Sequence, residues 1–311
     1  MTALLVGSPA GTETPLASRR RGGSLVSAIS HNRKAMTGLI LFVLFCAVAA
    51  FPGLFTSVRH PNDIAYQPLL HPSGANWLGT TGLGQDVYAQ VIYGTRQSLV
   101  IALVAGAGAT ILSVLFGVSA AYLGGWADDL LSLFTDVFLV LPTFPLIIVL
   151  ATYAGKGSIA VVIIVLIITG WSFGARQLRA QALSLRNREF LESARVRGER
   201  SSYIIIFEVL PTMTSLILAN FLGAALYSVL TAAGLQFLGL GDPSSISWGT
   251  MLYWAQNQQA LISGYPAWAL VPGLCVALLG VSFALLNYAF DEISNPALRP
   301  IRRTRVKRAD S

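Results

Sequence analysis

A chain of 311 residues with 54% hydrophobic and 11% charged side chains, mean hydropathy +0.64 and net charge +7 lies far outside soluble usage. Its continuous apolar runs are too long and too little alternating for a membrane β-barrel. Hydrocarbon leaves backbone groups to pair within their own segment, so the fold class is an all-α polytopic membrane protein.

Residues 1–35 form a tail rich in Gly, Ser, Thr and Pro, with 1–24 expected to be disordered. Arg19, Arg20 and Arg21 precede the first apolar run, but that run is long enough to span and lacks a cleavage site, so it is not a secretory signal. Six spans are predicted, at 36–55, 98–123, 130–153, 158–175, 212–235 and 268–290. Residues 36–97 thus comprise the first span and a loop, 98–290 the remaining core with loops at 176–211 and 236–267, and 291–311 a basic tail. The second span is rich in small residues, including Gly106, Gly108 and Gly117, which lets helices approach closely. Pro142 and Pro145 should kink the third. Cys46 and Cys275 sit in apolar runs as buried thiols, and His31, His60 and His71 are scattered, an arrangement unsuited to a metal site.

Arginine and lysine set the predicted orientation. Five lie in the N-terminal tail, seven between 176 and 211 and six in the C-terminal tail, whereas the opposite side carries only Arg59, Arg96 and Lys156. The basic side faces the cytosol, so both termini and the 176–211 loop are predicted there. Short membrane-flanking basic segments explain the charge without nucleic acid. The C-terminal tail is expected to lie near anionic lipid.

The 176–211 segment, RQLRAQALSLRNREFLESARVRGERSSYIIIFEVLP, is a polar island between spans. Asn187 is expected to cap a short helix with Glu189 in its positively polarised first turn. Glu192 and Arg195 form an i,i+3 pair, Phe190, Leu191 and Ala194 an apolar patch, and Gly198 fits the left-handed position after the helix. Ser201 or Ser202 begins a second short helix leading to Pro211.

This spacing resembles the EAA motif in permease subunits of bacterial ATP-binding-cassette importers, with Glu192, Ala194, Gly198, Leu210 and Pro211 matching it. Ser193 replaces the middle alanine and Glu208 an isoleucine, placing an acid near the membrane entrance. NWLGTTGLGQDVYAQVIYGTRQSL (76–99), GLQFLGLGDPSSISWGTML (234–252) and the segment from 266 to 300 resemble the C-type permease subunit of the dipeptide and oligopeptide (peptide/nickel) branch.

The resemblance implies a type I importer fold in the bacterial inner membrane, working by alternating access. Its implied partners are a homologous second permease, two cytosolic ATP-binding subunits (or one fused), an external substrate-binding protein and a peptide substrate. ATP and Mg would be bound by the partner subunits, with no cofactor and no catalytic residue in this chain. Glu192, Ser193, Ala194, Gly198, Leu210 and Pro211 would couple the ATPases to the spans. Neither Gly79–Gly84 nor Gly155–Ser158 has the order of a phosphate-binding loop. Asp136, about two turns into the third span, either pairs structurally or lines the pathway. Asp128 and Asp129 start that helix. Trp248, Trp254 and Trp268 are interfacial anchors, or else the segment from Asp242 to Trp254, with Trp77, forms part of the receptor surface. The alternatives are transport of nickel or another small solute on the same architecture, and an ion-coupled secondary transporter, for which more paired intramembrane charges are expected.

Overall fold

The computed structural model describes residues 32–153 and 158–294, with only the backbone described for 291–294. Expectations for the 1–24 segment, Lys156 and the C-terminal tail lie outside these residues. Helix α1 (Arg33–Ala50) opens on Asn32, whose side chain accepts from the amides of Lys34 (3.0 Å) and Ala35 (3.4 Å). It stops five residues short of the predicted end. Phe51 precedes Pro52 and leaves the helical region (φ −127°, ψ 58°), as the proline ring's clash with a helical predecessor requires.

Helix α2 (Val87–Leu123) begins eleven residues before the predicted span. Asp86 caps it, accepting from the Ala89 amide at 2.7 Å, a polar start outside any hydropathy window. Its 37 residues extend about 55 Å, well beyond the hydrocarbon thickness. It is the mast of the fold, packing on six of the later helices and on α1. A Cβ on Gly106 would meet the Ala225 backbone, and one on Gly117 the Ala175 backbone, so small residues do set the closest helix approaches.

Helices α3 (Gly125–Val140) and α4 (Thr143–Tyr153) form one broken element, bent by 89° at Leu141–Pro142. The break falls where the prolines place it. Helices α5 (Ile159–Gly170) and α6 (Ser172–Leu185) form a second pair, bent by 41° at Trp171. The Ser113 hydroxyl on α2 donates to the Trp171 carbonyl at this bend (2.7 Å), which also accepts from the Ala175 amide (3.0 Å), and Phe116, Phe134 and Phe138 pack around the buried indole. Helix α6 carries the fourth predicted span ten residues into the polar island.

The island continues with α7 (Glu189–Val196), α8 (Ser201–Ile204), a π-helical turn (Ile205–Val209) and α9 (Leu210–Thr212). Helices α10 (Thr214–Phe237), α11 (Trp248–Asn257) and α12 (Pro266–Ser294) complete the chain. Four helices are individually long and apolar enough to cross a membrane, and the two bent pairs bring the spans to six. The main core joins α1, α2, α10, α11 and α12 through residues such as Phe45, Leu222, Trp248 and Phe283.

Candidate coupling surface and translocation face

Helix α7 lies beside the far end of α2. Leu191 and Ala194 are fully buried, in a cluster with Val118 and Ala121 of α2, Leu178 and Ala182 of α6, and Ile204, Val209 and Met213 beyond. The i,i+3 spacing puts both on one face. The other face presents Glu192, Ser193 and Val196 to solvent, with Phe190 at its edge. The apolar patch is therefore Leu191 and Ala194, with Phe190 39% exposed.

Asn187 does not cap α7. Arg188 occupies the cap position and, with no acceptor on its side chain, makes no capping bond, while its amide donates to the Leu185 carbonyl (2.9 Å) in the turn ending α6. The far end agrees with expectation. Gly198 has φ +77°, its amide donates to the Arg195 carbonyl (2.9 Å), and the Glu199 amide reaches back to Ala194 (3.3 Å). The predicted Glu192–Arg195 pair gives way to Arg195 stacking over the Tyr122 ring at 5.4 Å, while Arg197 pairs with Glu199 at 2.9 Å. Helix α8 does start at Ser201, but without a side-chain cap.

Leu210 is half-buried against this cluster and Pro211 is exposed. Pro211 cannot donate, and the turn before it widens so that the Leu210 amide bonds the Ile205 carbonyl. Glu208 lies half-buried inside that widened turn. Leu210 thus stands between α7 and the base of α10.

Two ion pairs connect α3 to α6. Arg179 Nε and Nη2 bind Asp128 Oδ1 and Oδ2 at 2.7 and 2.8 Å, a bidentate contact. Asp128 was legible as a first-turn acid, but its partner is 51 residues away. Asp136 lies 3.8 Å from Arg176, and both side chains are more than half exposed.

Above them a 360 Å³ cavity opens between α3–α6 and α10–α12. Its polar wall carries Gln177, Asn220, Tyr227 and Asn287, with Asn220 Nδ2 donating to Gln177 Oε1 at 3.4 Å. Sequence reading overlooked these amides because isolated Asn and Gln in apolar runs carry no motif.

At the opposite end of α2, residues 60–86 and 242–258 interlock. Asn76 Nδ2 donates to Asp86 Oδ2 at 2.6 Å, both side chains being buried. Trp77 is 66% exposed and its ring lies 5.1 Å from that of Tyr88. Asp242 closes a turn. The Ser244 hydroxyl (2.6 Å) and amide (2.9 Å) both donate to it and hold its carboxyl below the usual carboxylate range. Trp254 is partly exposed, its indole donating to the Pro243 carbonyl at 2.9 Å.

Trp248 departs from its expected place. It is fully buried, edge-on to Phe45, with Nε1 donating to the Val91 carbonyl at 3.1 Å, so it has no surface to offer a receptor or an interface. Ser247 and Thr250 form a capping box that begins α11 beneath the loop, which turns the indole inward. The Ser247-x-x-Thr250 spacing was the available signal. Trp268 is likewise buried rather than interfacial.

Residues 113–294 match the binding-protein-dependent transport system inner membrane component family, and the chain belongs to that family as a multi-pass inner-membrane protein. It is similar to the oligopeptide transport system permease protein OppC of Mycobacterium tuberculosis, with 32% identity over 295 residues covering 93% of this chain and 99% of that protein. It is also similar to the dipeptide transport system permease protein DppC of Alkalihalophilus pseudofirmus, at 30% identity covering 87% and 88% of the two chains. A putative peptide permease protein of Brucella suis shares 34% identity, covering 81% and 84%.

Proposed function

We propose that this chain is the permease subunit of an ATP-driven importer of di- and oligopeptides. It forms half of the pathway with a homologous permease. Peptide delivered by an external binding protein enters a shared cavity, and two cytosolic ATP-binding subunits, holding ATP and Mg, supply the work. Similarity to oligopeptide and dipeptide permeases over most of the chain supports the substrate class.

The observation that carries the mechanism is the two-faced α7. Its inner face is locked to α2 and α6 by Leu191 and Ala194, and its outer face offers Glu192, Ser193 and Val196. A partner gripping the outer face moves the inner face with it. Displacement passes through Leu210 and Pro211 to α10 and through Leu178 and Ala182 to α6. Those helices border the amide-lined cavity, so closure of the ATPases would rock its walls between inward- and outward-open forms. Gly198 ends the helix so that the chain can turn back. In the same reading, Asp128–Arg179 fixes α3 to the moving α6, and Asp136 with Arg176 sits at the cytosolic edge. Trp77, Asp242 and Trp254 contribute to the surface met by the external receptor.

Glu192→Arg tests this assignment. Peptide uptake should fall at least about tenfold while insertion in the membrane is unchanged. Uptake that persists with ATPase subunits still bound would refute the docking role of α7. Cysteines placed at Ser201 and Ser245 should label from opposite faces, and same-side labelling would overturn the charge-based orientation.

A further inference from the structure

A second cavity, of about 290 Å³, lies at the end of the molecule remote from α7, between the 62–90 segment and the 243–258 segment. Among the described residues, no charged side chain lines it. Most of its polar groups already bond one another. Gln90 Nε2 donates to Gln85 Oε1 (2.9 Å), Gln85 Nε2 to the Asn62 carbonyl (3.1 Å), and the Thr250 hydroxyl to the Ser245 carbonyl (2.8 Å).

Two lining groups differ. Trp268 is 2% exposed and its indole Nε1–H has no hydrogen-bond partner. The Gln258 amide lies against Gly82, where a Cβ would collide with it, and makes no side-chain hydrogen bond among the described residues. A buried unpaired indole N–H is costly unless an acceptor arrives from outside. Gln258 adds both a donor and an acceptor. Two donor groups, one acceptor and no charge complement a peptide unit, whose carbonyl accepts and whose N–H donates, rather than a carboxylate or an ammonium group. The exposed Trp77 and the Asp242 turn give the broader surface suited to a folded receptor.

We propose that this recess is a receiving site for a backbone amide of the transported peptide, its carbonyl accepting from Trp268 Nε1–H and its peptide group bonding the Gln258 amide. The proposal rests on the peptide-import reading and names where the permease itself first holds the substrate. Contacts to the backbone alone would tolerate varied side chains.

The test uses the complete transporter in nanodiscs, with benzoylphenylalanine replacing Leu83, which lines the recess and is 48% exposed. The probe is a biotinylated N-acetylated, C-amidated trialanine, which carries no charge. Ultraviolet capture should be competed by unlabelled probe and should fall about fivefold in both Trp268→Phe and Gln258→Leu, the loss expected for one hydrogen bond. Trp268→Phe deletes the unpaired donor but also the five-membered ring, leaving a small cavity in the core, so its unfolding midpoint should fall modestly and capture is compared at equal amounts of folded transporter. Capture unaffected by both substitutions would overturn the proposal, as would capture of the receptor protein alone. Capture that stays intact in Trp268→Phe would also overturn it, whatever the change in stability, because the N–H is then not used. Peptide uptake is measured separately. Uptake without capture refutes only this site, and capture without peptide uptake refutes only the import reading.

Discussion

The two ends of α2 are held by different physics. At its start, buried polar groups are pinned by short directional bonds: Asn76 to Asp86 (2.6 Å), Asp86 to the Ala89 amide (2.7 Å), and Ser247 to Gln236 (2.7 Å). At its finish, α7 is seated by Leu191 and Ala194 in an apolar cluster, with no side-chain cap at its entry and a glycine turn at its exit. Directional bonds hold only within a narrow range of distance and angle and weaken steeply as their partners turn out of line. Apolar contact is non-directional and scales with area. The first end is built to keep one geometry, and the second can transmit displacement while remaining in contact.

Substitutions can break this contrast. The largest effect on stability is expected for Asp86→Ala, which removes the α2 cap and strands the buried Asn76 amide, at a combined cost of about 3 kcal/mol. The thermal unfolding midpoint in detergent should fall clearly, and an unchanged midpoint would mean that the bonds do not fix this end. Ala194→Leu overfills a fully buried position in the seat of α7, at about 2 kcal/mol. Uptake should fall severalfold more than thermal stability suggests, because the seat is also the transmission. Gly198→Ala meets open space but must adopt φ +77°, costing about 1 kcal/mol. It should loosen the exit of α7, seen as faster proteolysis within the 189–200 segment at nearly unchanged overall stability. Arg176→Gln should be the mildest, about 0.5 kcal/mol or less, since its pair with Asp136 is long and solvent-screened. A larger loss of transport at normal stability would assign Asp136 to the pathway.

The same contrast explains what the sequence reveals. The six spans follow from hydropathy, and the α3–α4 break from Pro142 and the α7 exit from Gly198 follow from local backbone chemistry. The two-faced character of α7 follows from helix spacing, because Leu191 and Ala194 need only one helix turn to share a face. What remained hidden depends on distant partners. The early start of α2 at Asp86 rests on a carboxylate outside the apolar run. The depth of Trp248 rests on Phe45 and Val91, far along the chain, and an exposed interfacial tryptophan looks identical in sequence. Asn220 and Asn287 line a cavity only once α10 and α12 are packed.

The central claim is that the outer face of α7 is gripped by an ATP-binding partner. Its most direct test is photocrosslinking from Ser193→Cys, with Cys46 and Cys275 replaced by alanine, in membranes containing the assembled transporter. The exposed position of Ser193 predicts an adduct with the ATP-binding subunit whose yield changes when ATP is added. Adducts confined to lipid or to the second permease, or modification of Ser193→Cys by a membrane-impermeant thiol reagent applied from outside the cell, would contradict it.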